Sequence, residues 1–127
     1  MARINTFSKG EHLCGEIRVG KLFSDGKAFI VYPFRIVYKT SSGSSAVPAK
    51  ILISVPKKRF KHAVDRNRIK RLMRESYRLN KTALLETMIE KQKTMDVAFN
   101  YVADIELDFA TMHRKMEKAI TQLIEKI

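Results

Sequence analysis

Eleven lysines and arginines fall within the 25 residues from Lys57 to Lys81, KKRFKHAVDRNRIKRLMRESYRLNK, against two acids, Asp65 and Glu75. That stretch carries +9 of the chain's formal +12, which leaves +3 for the other 102 residues. A guanidinium is a planar fork of donors that matches phosphate oxygens, and an ammonium is a compact point charge suited to the same ligand. Charge at this density repels itself, and an anionic polymer would offset the repulsion; nucleic acid is the commonest such polymer. Patterns for other chemistry are missing. His12, His62 and His113 are far apart, and none sits in a His-Glu-x-x-His or Cys/His ligand spacing. Glu11, Glu16 and Asp25 are scattered, whereas a two-metal nuclease needs converging carboxylates. Asp104, Glu106 and Asp108 alternate where the last helix should begin, and their simplest role is to favour its dipole. There is no Gly-x-x-x-x-Gly-Lys phosphate loop. The reading is therefore of a phosphate-binding protein with no catalytic residue and no metal-ligand set of its own.

The basic residues need an element that aligns them. On a helical wheel from Arg66 to Lys81, Ile69, Leu72, Met73 and Ser76 share one face suited to packing on a sheet. Arg66, Lys70, Arg74 and Arg78 follow at four-residue steps on another, with Asn67 and Arg71 beside them. Like charges four apart weaken an isolated helix by a few tenths of a kcal/mol per pair, so the stripe serves stability poorly and phosphate well. Asn67 adds a neutral donor and acceptor for a phosphate, a 2′-OH or a base edge. Lys57, Lys58, Arg59 and Lys61 abut the helix start and extend the same track; their plainer reading is a solvated loop.

The remaining elements follow from periodicity. Lys9 to Val19 suggests a short helix capped by Ser8 and ending near Gly20, with Leu13, Cys14 and Ile17 on one face. LFSDGKAFIVYPFRIVYK is aromatic and β-branched, with a turn signal at Asp25-Gly26. Phe34, Ile36 and Tyr38 alternate with Arg35 and Val37 as in a strand, and Pro33 suits its beginning or edge. Residues 40–50 are expected to be a flexible Ser/Gly loop. Ile51 to Val55 reads as a buried strand, Lys57 to Lys81 turns helical, and Met95 to Val102 is a further strand. Phe109, Met112, Met116, Ala119, Ile120, Leu123, Ile124 and Ile127 mark a closing amphipathic helix with Asp108 as its N-cap. The expected architecture is a single domain spanning residues 1–127, of α+β class: an α-β sandwich with helices packed on a small mixed sheet.

A chain of 127 residues that is 45% hydrophobic can bury a core. No apolar run approaches the ~18 residues needed to span a bilayer, and MARINTFSKGEHL lacks the apolar middle of a signal peptide, so a cytoplasmic protein is expected. Cys14 is the only cysteine, so no intramolecular disulfide is possible.

The segment VPKKRFKHAVDRNRIKRLMRESYR resembles the signature of the bacterial ribonuclease P protein subunit: a strand, a Lys pair, a Gly-Asn-Ala-Val-like turn, then Arg-Asn-Arg, Lys-Arg and Arg-Glu. Here these stand as Lys57-Lys58, Lys61-His62-Ala63-Val64, Arg66-Asn67-Arg68, Lys70-Arg71 and Arg74-Glu75. The block covers roughly a fifth of the chain; outside it the order of elements is alike. The resemblance implies a left-handed βαβ crossover through the basic helix, against the usual hand. It also implies a role in a ribonucleoprotein that removes the 5′ leader of precursor tRNA. There the partner RNA holds the active site and its Mg²⁺ ions, while the protein binds the catalytic RNA and the leader; no membrane and no obligate protein partner enter. Carried over by position, the RNA-binding residues are Lys57, Lys58, Arg66, Asn67, Arg68, Lys70, Arg71 and Arg74, to which the charge pattern adds Arg59, Lys61 and Arg78. A leader cleft on the sheet face and first helix is assigned to Phe34, Ile36 and Tyr38, with Leu13 from the helix; their plainer reading is core. Aromatic stacking is tolerant of base sequence, which suits varied leaders. The chain departs from the pattern at Lys61-His62, in place of Gly-Asn, and at Asn100-Tyr101-Val102, where a basic residue is usual. Phe7 and Phe23 stand out of register with the family's first-helix aromatics.

Other classes remain open on the residues alone. A structural RNA-binding protein, such as a ribosomal one, would share the basic helix without a leader cleft. A DNA-binding regulator would read a duplex with Arg66 to Arg78, although no helix precedes at helix-turn-helix spacing. A self-sufficient metal-dependent nuclease would cleave by itself.

Overall fold

Two kinds of surface alternate along the strands, and both are put to use by helices on either side of one sheet. The structure is a computed structural model that describes residues 9–127. After a 3-10 turn at Lys9–Glu11 come α1 (Glu16–Asp25), β1 (Lys27–Val31), β2 (Phe34–Ser42), β3 (Ala49–Ser54), α2 (Ala63–Asn80), α3 (Thr82–Glu90), β4 (Lys93–Tyr101) and α4 (Phe109–Glu125). The sheet order is β1-β2-β4-β3. β1/β2 and β2/β4 are antiparallel, whereas β3 and β4 are parallel neighbours, so α2 and α3 form the crossover between them. This is the mixed-sheet α+β sandwich expected from the periodicity.

β1 and β2 form a hairpin around Tyr32-Pro33, whose peptide bond is cis. Gly26 separates α1 from β1 because the chain is too close there for a side chain: a Cβ would lie 2.3 Å from the Leu22 carbonyl oxygen and 2.9 Å from that of Tyr38. The inner sheet face supplies Phe34, Ile36, Tyr38, Ile51, Met95, Val97, Phe99 and Tyr101. These pack with Ile69, Met73 and Tyr77 of α2, Leu84 and Met88 of α3, and Met112, Met116 and Leu123 of α4 in one core. Burying each large apolar side chain contributes about 1.5–3 kcal/mol. A smaller cluster of Leu13, Leu22, Val37 and Ala98, with Val19 and Leu52 against it, lies under α1 on the outer face. Asp108 caps α4 by accepting from the Thr111 amide at 2.8 Å, as its position predicts.

Several expectations change, including the end of the first helix, which falls at Asp25 rather than near Gly20. The first helix starts at Glu16 rather than Lys9, behind Gly15 at φ 96°, a backbone conformation that suits glycine. Leu13 instead lies in an extended segment, its amide donating to the Ile51 carbonyl at 2.9 Å. Ser8, the expected cap, lies outside the described residues. The 40–50 loop is shorter than expected, because β2 continues to Ser42 opposite Lys93 and β3 begins at Ala49. Backbone pairing satisfies the peptide groups whether or not the side chains are apolar, so the polar Thr40-Ser41-Ser42 run extends the ladder. Finally, α3 was not anticipated as a separate helix. Lys81, helical itself at φ −75°, ψ −20°, joins α2 to α3 without a Gly or Pro to mark the break.

Lys81 is 1% exposed and its ammonium donates to both carboxylate oxygens of Glu11, at 2.8 and 3.0 Å. A buried cation needs such a partner, and this one ties the segment before α1 to the α2–α3 junction.

Candidate nucleic-acid interface

Helix α2 carries six of the eleven basic residues from Lys57 to Lys81 and is held by its apolar side. It has no Gly or Pro from Ala63 to Asn80, and Ile69, Met73, Ser76 and Tyr77 recur at helical spacing and are fully buried. The Ser76 hydroxyl donates back to the Leu72 carbonyl at 2.7 Å, which satisfies it inside the core. His62 occupies the N-cap in extended conformation, and Asp65 stands in the first turn, where the helix dipole favours it. The Lys61-His62 departure thus adopts ordinary negative-φ backbone at the cap.

The cations divide into two sets. Lys57, Lys58, Lys61, Lys70, Arg71 and Arg74 form no ion pair with another described residue; Lys57, Lys58, Lys61 and Arg71 are exposed, with Asn67 beside them. The others have partners. Arg68 gives Nε and Nη2 to the two carboxylate oxygens of Glu106, at 2.6 and 2.8 Å, and Nη2 also reaches Asp65 at 2.7 Å. Arg59 pairs with Asp104, and Arg78 pairs with Glu75. These contacts raise the Arg68 and Arg78 pKa values, and they hold the Glu106 and Glu75 carboxyls below the usual range, chiefly by hydrogen bonding. Arg66 is half-buried and gives Nη1 to the carbonyls of Phe60 and Lys61, both at 2.8 Å. It fastens the loop that presents Lys57 to Lys61. Of the three alternating acids, only Asp108 serves the α4 terminus; Asp104 and Glu106 face arginines of the basic segment.

The leader residues assigned from the sequence are misplaced. Phe34 and Ile36 are 0% exposed, Tyr38 7% and Leu13 4%. Phe34 packs edge-on against Phe99 and Tyr101, and Tyr38 against Phe29. None can receive a base. The physical reason lies in the alternation: it gives the two faces of β2, and the aromatic one is the face that α2 and α4 cover.

The opposite face is partly open. The register aligns three rows across it: Ile30, Arg35, Asn100 and Ser54; Ala28, Val37, Ala98 and Leu52; and Lys39, Asp96 and Lys50. α1 covers the second row and ties down the third, where Arg18 forks onto Asp96 at 2.7 and 2.8 Å. The first row remains accessible: Ile30 is 65% exposed and the adjoining Tyr32 53%, and Arg35 is exposed. Asn100 steadies this row by donating to the Arg35 carbonyl at 3.2 Å. On α1, Val19 and Phe23 stand one turn apart, on the flank away from Arg18, and Phe23 is 43% exposed. Arg35, Ile30 and Asn100 lie on the polar phase of the same two-residue period whose other phase is aromatic.

Among the described residues, no three His, Cys, Asp or Glu side chains come together to hold a metal ion, and no helix is long and apolar enough to cross a membrane. Cys14 is exposed and free.

Fold and charge together define a class: an α+β sandwich whose crossover helix, between two parallel strands, presents a cationic face to solvent. The Ribonuclease P family model matches residues 7–124. A Porphyromonas gingivalis protein named ribonuclease P protein component is 45% identical over 116 residues, covering 91% of this chain and 85% of that one. A protein of the same name from Chlorobaculum tepidum is 39% identical over 89 residues, 68% of this chain and 58% of that one. The chain belongs to the ribonuclease P protein family. Its fold is that of the Staphylococcus aureus ribonuclease P protein, at TM-score 0.66 and 19% identity over 91% of this chain and 96% of the other. The Thermotoga maritima protein is equally similar, at TM-score 0.67 and 23% identity over 92% and 97%.

Proposed function

We propose that the chain acts as the protein component of a cytoplasmic ribonuclease P, binding a catalytic RNA and the 5′ leader of precursor tRNA and promoting removal of the leader. The observation that carries this reading is the row of cations without an ion-pair partner among the described residues, in which Lys70, Arg71 and Arg74 of α2, with Asn67, continue the loop lysines Lys57, Lys58 and Lys61. Such a row neutralises successive phosphates and releases their counterions. The partner RNA holds the catalytic Mg²⁺ ions and performs the hydrolysis; the protein's contribution is binding and orientation of the substrate. The leader runs over the open outer row of the sheet. Arg35 contacts its phosphates there, Ile30 and Tyr32 offer apolar surface to its bases, and α1 forms the wall with Val19 and Phe23.

The test is precursor-tRNA cleavage at low Mg²⁺ with catalytic RNA alone, protein alone and both. Correct 5′ maturation only in the combined reaction is the expected result. Cleavage by the protein alone would place an active site in this chain, and absence of stimulation would leave a structural RNA-binding protein. Arg35→Ala is expected to weaken leader-bearing tRNA more than mature tRNA, and equal loss would remove Arg35 from the leader path.

A further inference from the structure

The connection from β4 to α4 carries Asp104 and Glu106 against the basic segment in a protein of net charge +12. Glu106 occupies the Nε and Nη2 side of the Arg68 guanidinium, and Asp65 takes a further Nη2 position. Two carboxylates thus face one cation, and a phosphate approaching Arg68 meets excess negative charge. Arg59 is engaged by Asp104. These pairs do little for stability, since the Asp104 side chain is 80% exposed and the Arg68 side chain 45%. Their arrangement has a directional consequence. One long edge of α2, at Asp65, Arg68 and Glu75, is acid-lined and bordered by the connection. On the other, Lys70, Arg71 and Arg74 beside Asn67 form no ion pair among the described residues, Glu75 being taken up by Arg78.

We infer that Asp104 and Glu106 are specificity residues, which withhold Arg59 and Arg68 from RNA and confine the polyanion to the Asn67–Arg74 edge of α2. The inference deepens the RNA-binding reading above and rests on it. An RNA whose shape follows the open edge keeps all its phosphate contacts. An arbitrary polyanion that spreads across the helix meets the acidic border and loses contacts. The border thus trades general RNA affinity for discrimination.

The experiment uses the full chain with Glu106→Gln, Asp104→Asn and the pair, checked for folding by thermal melting. Binding to poly(U) and to the catalytic RNA is titrated across salt concentrations. Each released arginine is expected to steepen the poly(U) salt slope by about 0.7 and to tighten binding about fivefold at 0.1 M salt, narrowing the preference for the catalytic RNA. Adding Arg68→Gln to Glu106→Gln is expected to return the slope to that of the parent. Folded acid variants with unchanged or weaker poly(U) binding would overturn the border. Arg71→Ala and Arg74→Ala separate the two failures. If they weaken RNA binding while the acid variants do nothing, only the border falls; if they too are silent, the α2 reading itself falls and the border with it.

Discussion

Arg68 shows how much one guanidinium can be asked to do, because it holds Glu106 by two hydrogen bonds and Asp65 by a third. Glu106 is held below the usual carboxylate range chiefly by that hydrogen bonding, as Glu75 is by Arg78 and Asp108 by Thr111. A depressed folded pKa stabilises the native state above the unfolded pKa, about 4.3 for Glu and 3.9 for Asp, and the stabilisation is lost as pH falls through the folded value. Thermal melting is therefore expected to hold steady down to about pH 5 and to decline below it. Glu106→Gln should flatten part of the decline; a parallel curve would show that Glu106 contributes nothing to it. Phe34 makes a different point. Being fully buried between Phe99 and Tyr101, it belongs to the core. Phe34→Ala is expected to cost about 3–5 kcal/mol in denaturant unfolding. Near-neutral stability combined with a loss specific to leader-bearing tRNA would restore it to the leader path.

Among the elements, α2 is where RNA binding should be separable into contact and support. Arg71→Ala and Arg74→Ala are each expected to reduce the salt slope of catalytic-RNA binding by about 0.7–0.9, as one lost phosphate contact does. Arg66→Ala should instead leave two loop carbonyls without their donor and lower stability by about 1 kcal/mol, with a smaller change in slope. A full unit of slope lost at Arg66 would show that it contacts phosphate directly. α2 and α4 were legible in the sequence because each runs more than four turns with apolar residues at helical spacing, and Asp108 announces the start of the second. α1 was placed too early, since Gly15 rather than Ser8 starts it and the extended Leu13 mimics a helical apolar position. α3 is nine residues long and continues directly from α2, so its pattern merges with its neighbour's.

At the scale of the whole molecule, Lys81 and Glu11 join parts of the chain 70 residues apart. Glu11→Ala leaves a cation buried without its carboxylate and is expected to destabilise the fold by about 3–5 kcal/mol. A loss below about 1 kcal/mol would mean that the ammonium is held by other groups or by water in the folded state. The amino-acid sequence by itself determined the charge concentration, the cationic and apolar faces of α2, the closing helix and the strand segments, because these depend on spacings of two to four residues along one chain. Tertiary structure decided the rest. Which phase of β2 faces the core depends on where α2 and α4 dock, so the aromatic phase became interior and Arg35 with Asn100 came to line the open row. Which arginines are available depends on the β4–α4 connection, 38 residues from Arg68 at Glu106, folding back against α2. Ion pairs between distant segments leave no periodic trace, because a carboxylate's partner is set by where the chain returns in space.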